Sequence, residues 1–339
     1  MNAVHQPLGQ LMISVEGLSL DVTTRERLTH PDVGGVILFS RNHVDHAQLQ
    51  DLIKEIKRLR SEPLLVAVDQ EGGLVQRFKK GFTLLPPMAA IGEIYDEDPQ
   101  DAYQYARDVG VVLAYELGGL DIDFSFTPVV DLLSKNKAIA NRAFHTDPAI
   151  VSRLSRAVAE GLGGGGMQSV AKHFPGHSGV IEDPHFDLPA DPRGLSEVRA
   201  RDMRVYESLE ESGIRAVMTC HVVFPAVDGL PATFSSKWIT DELRGRLDYQ
   251  GLVVSDDVMM GALSQFGEPT DRVIKAREAG CDLILLCNDD RAADTVLSRG
   301  GLPPLSQRSR ARVNQMRRSN RRVDPATVDA ARRRLATLN

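Results

Sequence analysis

The sequence predicts a closed (β/α)8 barrel of the TIM type, folded as a single domain. Three observations carry that expectation. Eight short β-rich runs follow one another along the chain, stretches of helical periodicity lie between them, and reactive polar residues collect at the ends of the runs. Alternating strands and helices imply a parallel sheet. Eight such units in 339 residues fall in the size range of a closed barrel with insertions. An open doubly wound sheet is the competing arrangement. No linker rich in Pro, Gly or Ser divides the chain, and no repeat is visible beyond the alternation itself.

In chain order, the runs at 11–15 and 34–39 come first, followed by a helical stretch at 46–59. The run at 64–69 is apolar from Leu64 to Val68, as is Val36-Ile37-Leu38-Phe39 before it. Such unbroken apolar runs suit strands buried on both faces. A helix at 102–117 leads to the run at 122–126. The next helix, 149–162, has Asp147 and Pro148 as N-cap and first position. It leads to the run at 169–173. A helix at 196–212, stopped by Gly213, leads to the run at 216–220, and one at 236–247 to the run at 252–256. The last unit is a helix at 271–279, stopped by Gly280, and the run at 282–286.

Charge divides the chain unevenly. Residues 306–339 hold ten arginines and two aspartates, a surplus of +8, so the first 305 residues carry −14 of a net −6. The expected division is therefore a barrel over 1–305 and a basic C-terminal tail over 306–339. Asp324-Pro325 reads as the start of a short last helix, solvated and frayed at its end. The tail has no Phe, Tyr or Trp to stack bases, so no nucleic-acid partner is expected. No 18-residue apolar run exists, which argues against a membrane span. The first Lys or Arg is Arg25, so no secretory signal is expected. Cys220, Cys281 and Cys287 suit neither a disulfide framework nor a metal motif. A cytoplasmic monomer without cofactor is the expectation.

The reactive residues fall where a barrel gathers its strand ends at one mouth. Asp69 closes the third run, Lys172 and His173 the fifth, His221 follows the sixth and Asp256 closes the seventh. The glycines 161, 163 and 166 fit a dinucleotide-binding spacing, but a helix precedes them and a strand follows, the reverse of what that motif needs. Between Lys172 and His185 lie three histidines, a lysine and two carboxylates. His173 and His177 have the spacing of two ligands on one helix face, but Pro175 and Gly176 break such a helix, so no metal centre is expected. Instead the loop carries Asp183 and His185 over the mouth. A carboxylate two residues from an imidazole can orient it and poise it for proton transfer near neutrality. Ser255-Asp256-Asp257 ends a buried run, and alternation sends the two carboxylates to opposite faces. One would point inward, ionised as a nucleophile must be; the other would cap a helix or fix a neighbour. Asp69, with Arg77 after it, can bind vicinal hydroxyls, and Arg142 can reach the same mouth.

Together these motifs resemble the family 3 glycoside hydrolases, specifically the single-domain bacterial β-N-acetylglucosaminidases of peptidoglycan recycling. The resemblance rests on His30-Pro31 with Val33 to Phe39, Arg41-Asn42, Asp69 to Gly73, Lys172 to His177 (KHFPGH), Asp183 with His185, and Ser255-Asp256-Asp257. It implies Asp256 as nucleophile, His185 as general acid/base paired with Asp183, and Asp69, Arg77, Arg142, Lys172 and His173 as ligands of an N-acetylglucosamine unit. It also implies a two-step retaining mechanism on a muropeptide substrate. Relatives that carry their acid on a second domain need a longer chain, which favours the histidine-loop subgroup. Ser178, Pro184 and Leu74 stand where that family often has Gly, Ser and Arg. Phosphorolysis on the same barrel, catalysis through the substrate's own acetamide, and a silent sugar-binding barrel are the alternatives.

Overall fold

The computed structural model describes residues 7–184, 187–209 and 211–338. All eight apolar runs become strands, because each is covered on both sides. The strands are β1 (Leu11–Ser14), β2 (Val33–Leu38), β3 (Leu65–Val68), β4 (Gln70–Gly72), β5 (Val75–Gln76) and β6 (Phe124–Ser125). They continue as β7 (Val170–Phe174), β8 (Ala216–Thr219), β9 (Val223–Phe224), β10 (Asp228–Pro231), β11 (Leu252–Val254) and β12 (Ile284–Leu286). A five-stranded parallel sheet runs β12-β1-β2-β3-β6, and a three-stranded parallel sheet runs β11-β8-β7. Isolated parallel bridges join their edges: Phe124 of β6 to Gln168 before β7, and Val254 of β11 to Leu283 before β12. Two antiparallel ribbons, β4 with β5 and β9 with β10, sit on the loops after β3 and β8. The fold is thus α/β with mixed sheets.

The helices are α1 (Val22–Leu28), α2 (His46–Arg58), α3 (Met88–Glu97), α4 (Pro99–Gly119), α5 (Pro148–Gly164) and α6 (Leu195–Ala200). After them come α7 (Pro269–Ala279), α8 (Asp290–Arg299), α9 (Gln307–Gln315) and α10 (Pro325–Leu335). Asp147 caps α5 by accepting the Ala149 N–H, with Pro148 at the first position, and Gly280 ends α7 with a left-handed backbone. The glycine-rich stretch at 161–166 is a helix end and turn, and its Gly161 has a packing reason. A β-carbon there would come within 2.2 Å of the Arg107 carbonyl on α4, and one at Gly110 within 2.2 Å of the Val158 carbonyl on α5. Both glycines let α4 and α5 touch backbone to backbone.

Two expectations are corrected. The helix expected over 196–212 breaks at Arg201 into α6 and a tighter segment, Asp202–Ser208. The break lets the buried Asp202 turn inward, where it pairs with Arg193 at 2.8 Å and accepts the Ser178 N–H. The tail is not one solvated, frayed helix either. It forms α9 and α10, and Val313, Met316, Val328 and Leu335 are all fully buried. Arg332 and Arg334 of α10 reach Glu116 and Asp108 of α4, each at 2.7 Å, while Arg312 reaches Asp282. Sparse apolar residues on one helical face suffice when the acidic surface beneath supplies the partners.

Candidate active site

The ends of the parallel strands converge on a cavity of about 160 Å³. Asp69, Arg77, Arg142, Lys172, His173 and Asp256 all line it. They come from the loops after β3, β6 and β11 and from β7 itself, so six of the eight expected site residues meet in one place. Asp183 does not line this cavity; it is half-buried in the loop after β7, its carbonyl accepting the Asp187 N–H. His185 lies outside the described residues.

A buried ion network forms one wall. The Lys172 ammonium, 2% exposed, sits 2.8 Å from Asp69 and 2.5 Å from Glu71. Arg142 clasps Glu71 with two parallel hydrogen bonds of 2.8 Å, and Arg77 approaches Asp69 at 3.4 Å. Burial pushes both carboxyls up, but the neighbouring cations outweigh it and hold Asp69 and Glu71 below the usual carboxylate range. The guanidinium groups of Arg41 and Arg77 lie over the Phe39 ring, at 4.7 and 5.5 Å from its centroid. Asn42 is structural: its amide donates to the carbonyls of Val15 and Gly17.

Asp256 and Asp257 lie beyond the end of β11, so strand alternation does not separate them. Hydrogen bonding does. One Asp257 oxygen accepts the N–H groups of Met259 and Cys287, which fixes the loop. Both residues border the cavity, but the Asp256 carboxylate accepts only the Asp257 N–H, at 2.8 Å, among its described hydrogen bonds. Burial raises its pKa, but His221, His173, the Asp257 N–H and Lys172 lower it by more, so it stays ionised. His221 is fully buried behind this pair rather than at the mouth; its Nε2 donates to the Asp257 carbonyl at 2.9 Å.

Sequence reasoning assigned no role to Glu71 or Asp131. Asp131, fully buried, accepts the His173 N–H and Nδ1–H on one oxygen, the latter at 2.7 Å. Its other oxygen takes the His177 N–H at 3.0 Å and faces the His177 Nδ1 at 3.1 Å. The two imidazoles that cannot share a helix therefore share a carboxylate. Asp131 follows Val129-Val130, five residues beyond the run at 122–126, so the strand-end criterion that picked out Asp69 passed over it. Both of its oxygens are engaged by hydrogen bonds, which orient the two rings.

Burial lowers the His173 pKa against the pull of Asp131, so the folded protein keeps this ring neutral below the pH at which the unfolded chain protonates it. A depressed folded pKa contributes stability above the unfolded value, about 6.5, that is lost as pH falls through the folded one. The urea midpoint is expected to decline from pH 7 to pH 5, with a shallower slope in His173→Gln. Equal slopes in the two proteins would count against a neutral buried His173.

A cavity lined by ionised carboxylates and fixed cations at the carboxyl ends of parallel strands defines an enzyme that works on a small polar substrate. Its class follows from its relatives: the chain belongs to glycosyl hydrolase family 3, whose N-terminal domain matches residues 3–323. It is 44% identical over 342 residues to the β-hexosaminidase of Chromobacterium violaceum, covering 98% of this chain and 96% of that one. It resembles the crystal structure of native NagZ from Neisseria gonorrhoeae with a TM-score of 0.92 and 40% identity, covering 98% of both chains. The complex of that NagZ with N-trifluoroacetyl-D-glucosamine matches at a TM-score of 0.91 and 40% identity, covering 98% of this chain and 99% of that one. The protein is a glycoside hydrolase acting as a β-N-acetylhexosaminidase.

Proposed function

We propose that the enzyme is a retaining exo-β-N-acetylglucosaminidase that releases terminal N-acetylglucosamine from muropeptides ending in 1,6-anhydro-N-acetylmuramic acid. The observation that carries this reading is the ionised Asp256 at the wall of the cavity that also holds Asp69, Arg77, Arg142, Lys172 and His173. The sugar's hydroxyls would be taken by Asp69, Lys172, His173, Arg77 and Arg142. The Asp256 carboxylate attacks the anomeric carbon and forms a glycosyl ester as the glycosidic C–O bond breaks. The His185 imidazolium gives its proton to the departing oxygen. The same ring, now neutral and paired with Asp183, then takes a proton from water, which attacks the anomeric carbon and frees Asp256. Two displacements at one carbon give net retention.

A histidine is suited to this exchange because its ordinary pKa, about 6.5, lies close to neutrality. What supports His185 in that role is the position of its neighbour. The Pro184 carbonyl accepts the Ala262 N–H at 3.2 Å, so the chain one residue before His185 abuts the loop that follows Asp256. Asn136 anchors the same segment through the Val180 carbonyl at 3.1 Å.

The two parallel sheets are read as arcs of one closed (β/α)8 barrel, supported by the bridges at Phe124 and Val254. Residues 1–305 form this catalytic body, and 306–339 are a tail clamped onto it. The proposed setting is a cytoplasmic monomer; no helix among the described residues is long and apolar enough to cross a membrane. Purified protein is expected to release free N-acetylglucosamine from the anhydro-disaccharide muropeptide at a rate independent of added phosphate. Release of the sugar 1-phosphate would replace hydrolysis with phosphorolysis, and inertness toward the anhydro-disaccharide would sink the substrate assignment.

A further inference from the structure

The tail carries more charge than the fold uses. Of its ten arginines, Arg312, Arg317, Arg318, Arg332 and Arg334 face carboxylates. Arg321 and Arg322 are exposed between α9 and α10 and have no ion-pair partner among the described residues. Both border a cavity of about 800 Å³ enclosed by this connection, the C-terminal end of α4 and the loop at Phe82. It shares no lining residue with the catalytic cavity.

Its two carboxylates are already engaged. Glu116 accepts from Thr83 and pairs with Arg332, and Asp324 caps α10 through the Thr327 N–H. The guanidinium groups of Arg321 and Arg322 are therefore uncompensated at the rim. The wall between them and α4 includes Phe82, Val323 and the exposed Tyr115. Guanidinium forks match phosphate oxygens, and the volume is of the size that takes a small organic ligand, roughly 300–1,000 Å³. A concave site with two free cations suits a small anion better than the long basic stripe that tracks a nucleic acid.

We propose that this cleft binds a small organic phosphate of the nucleoside diphosphate class, with its phosphates on Arg321 and Arg322 and its ring against Tyr115 and Phe82. Calorimetric titration of the full chain with ADP tests it, with pyrophosphate and adenosine as separate arms. Saturable one-to-one binding of ADP is expected, tighter than either fragment. The double substitution Arg321→Ser/Arg322→Ser should weaken it about a hundredfold, roughly tenfold for each lost charge-assisted contact. That variant should hydrolyse a chromogenic β-N-acetylglucosaminide at the wild-type rate, because neither arginine lies in the catalytic cavity. Absence of saturable ADP binding overturns the proposal, as does binding unchanged in the double variant or displaced by N-acetylglucosamine. Equal affinity for pyrophosphate removes the role of the apolar wall. Affinity that rises with oligonucleotide length assigns the patch to nucleic acid instead.

Discussion

Asp256→Ala is expected to cut kcat on the chromogenic β-N-acetylglucosaminide by on the order of 10⁴–10⁶, the scale on which loss of a nucleophile acts. The fold should survive, since the carboxylate contributes only one described hydrogen bond, from the adjacent N–H. A thermal melt beside the kinetics separates the two effects. Trapping with a 2-deoxy-2-fluoro glycoside followed by peptide mass spectrometry should place the label on Asp256. Retention of activity to within tenfold, or a label elsewhere, would end the assignment. Substrate-assisted catalysis through the acetamide would leave no label at all, which distinguishes the two routes.

Lys172→Met carries the next largest effect, on both stability and rate. The ammonium is 2% exposed and stands between two carboxylates held ionised by it and by the nearby arginines. Arg142 still satisfies Glu71 in the variant, but Asp69 keeps only Arg77 at 3.4 Å. Taking one partner from a buried pair costs about 3–5 kcal/mol, because the charge left behind has already lost its water. A urea titration at pH 7 should show that loss, and kcat/KM should fall with it as Asp69 turns away from the sugar. The double substitution Asp69→Asn/Lys172→Met removes the stranded charge, so it should recover part of the stability. Equal stability of Lys172→Met and wild type would mean that the network is not the electrostatic unit described.

Lys172 also shows where the sequence ran out of information. The KHFPGH segment and the apolar run before it place Lys172 at a strand end. They do not show that its partner Asp69 lies 103 residues away, nor that Arg142 clasps Glu71 across 71 residues. Asp131 lies beyond the end of its run and looks ordinary until the two histidines converge on it. Asp183 and His185 stand out in sequence, yet the described residues leave Asp183 off the cavity wall. The SDD motif promised one inward carboxylate, whereas both Asp256 and Asp257 line the cavity and differ instead in the hydrogen bonds that hold Asp257 to its loop. The tail's composition suggested a solvated end, whereas its arginines meet the acidic faces of α4 and the β12 entry.

By itself the sequence determined the alternation of eight strands with helices, the strand ends at which reactive groups emerge, and the family to be expected. Those features are local: each apolar run and each cap follows from the burial and hydrogen bonding of a few adjacent residues. Tertiary structure alone decided which charges share a wall, which histidines share an acid and which arginines lack an ion-pair partner among the described residues. Electrostatic partnership depends on distance and on exclusion of water, and neither exists until residues far apart in the chain are brought together.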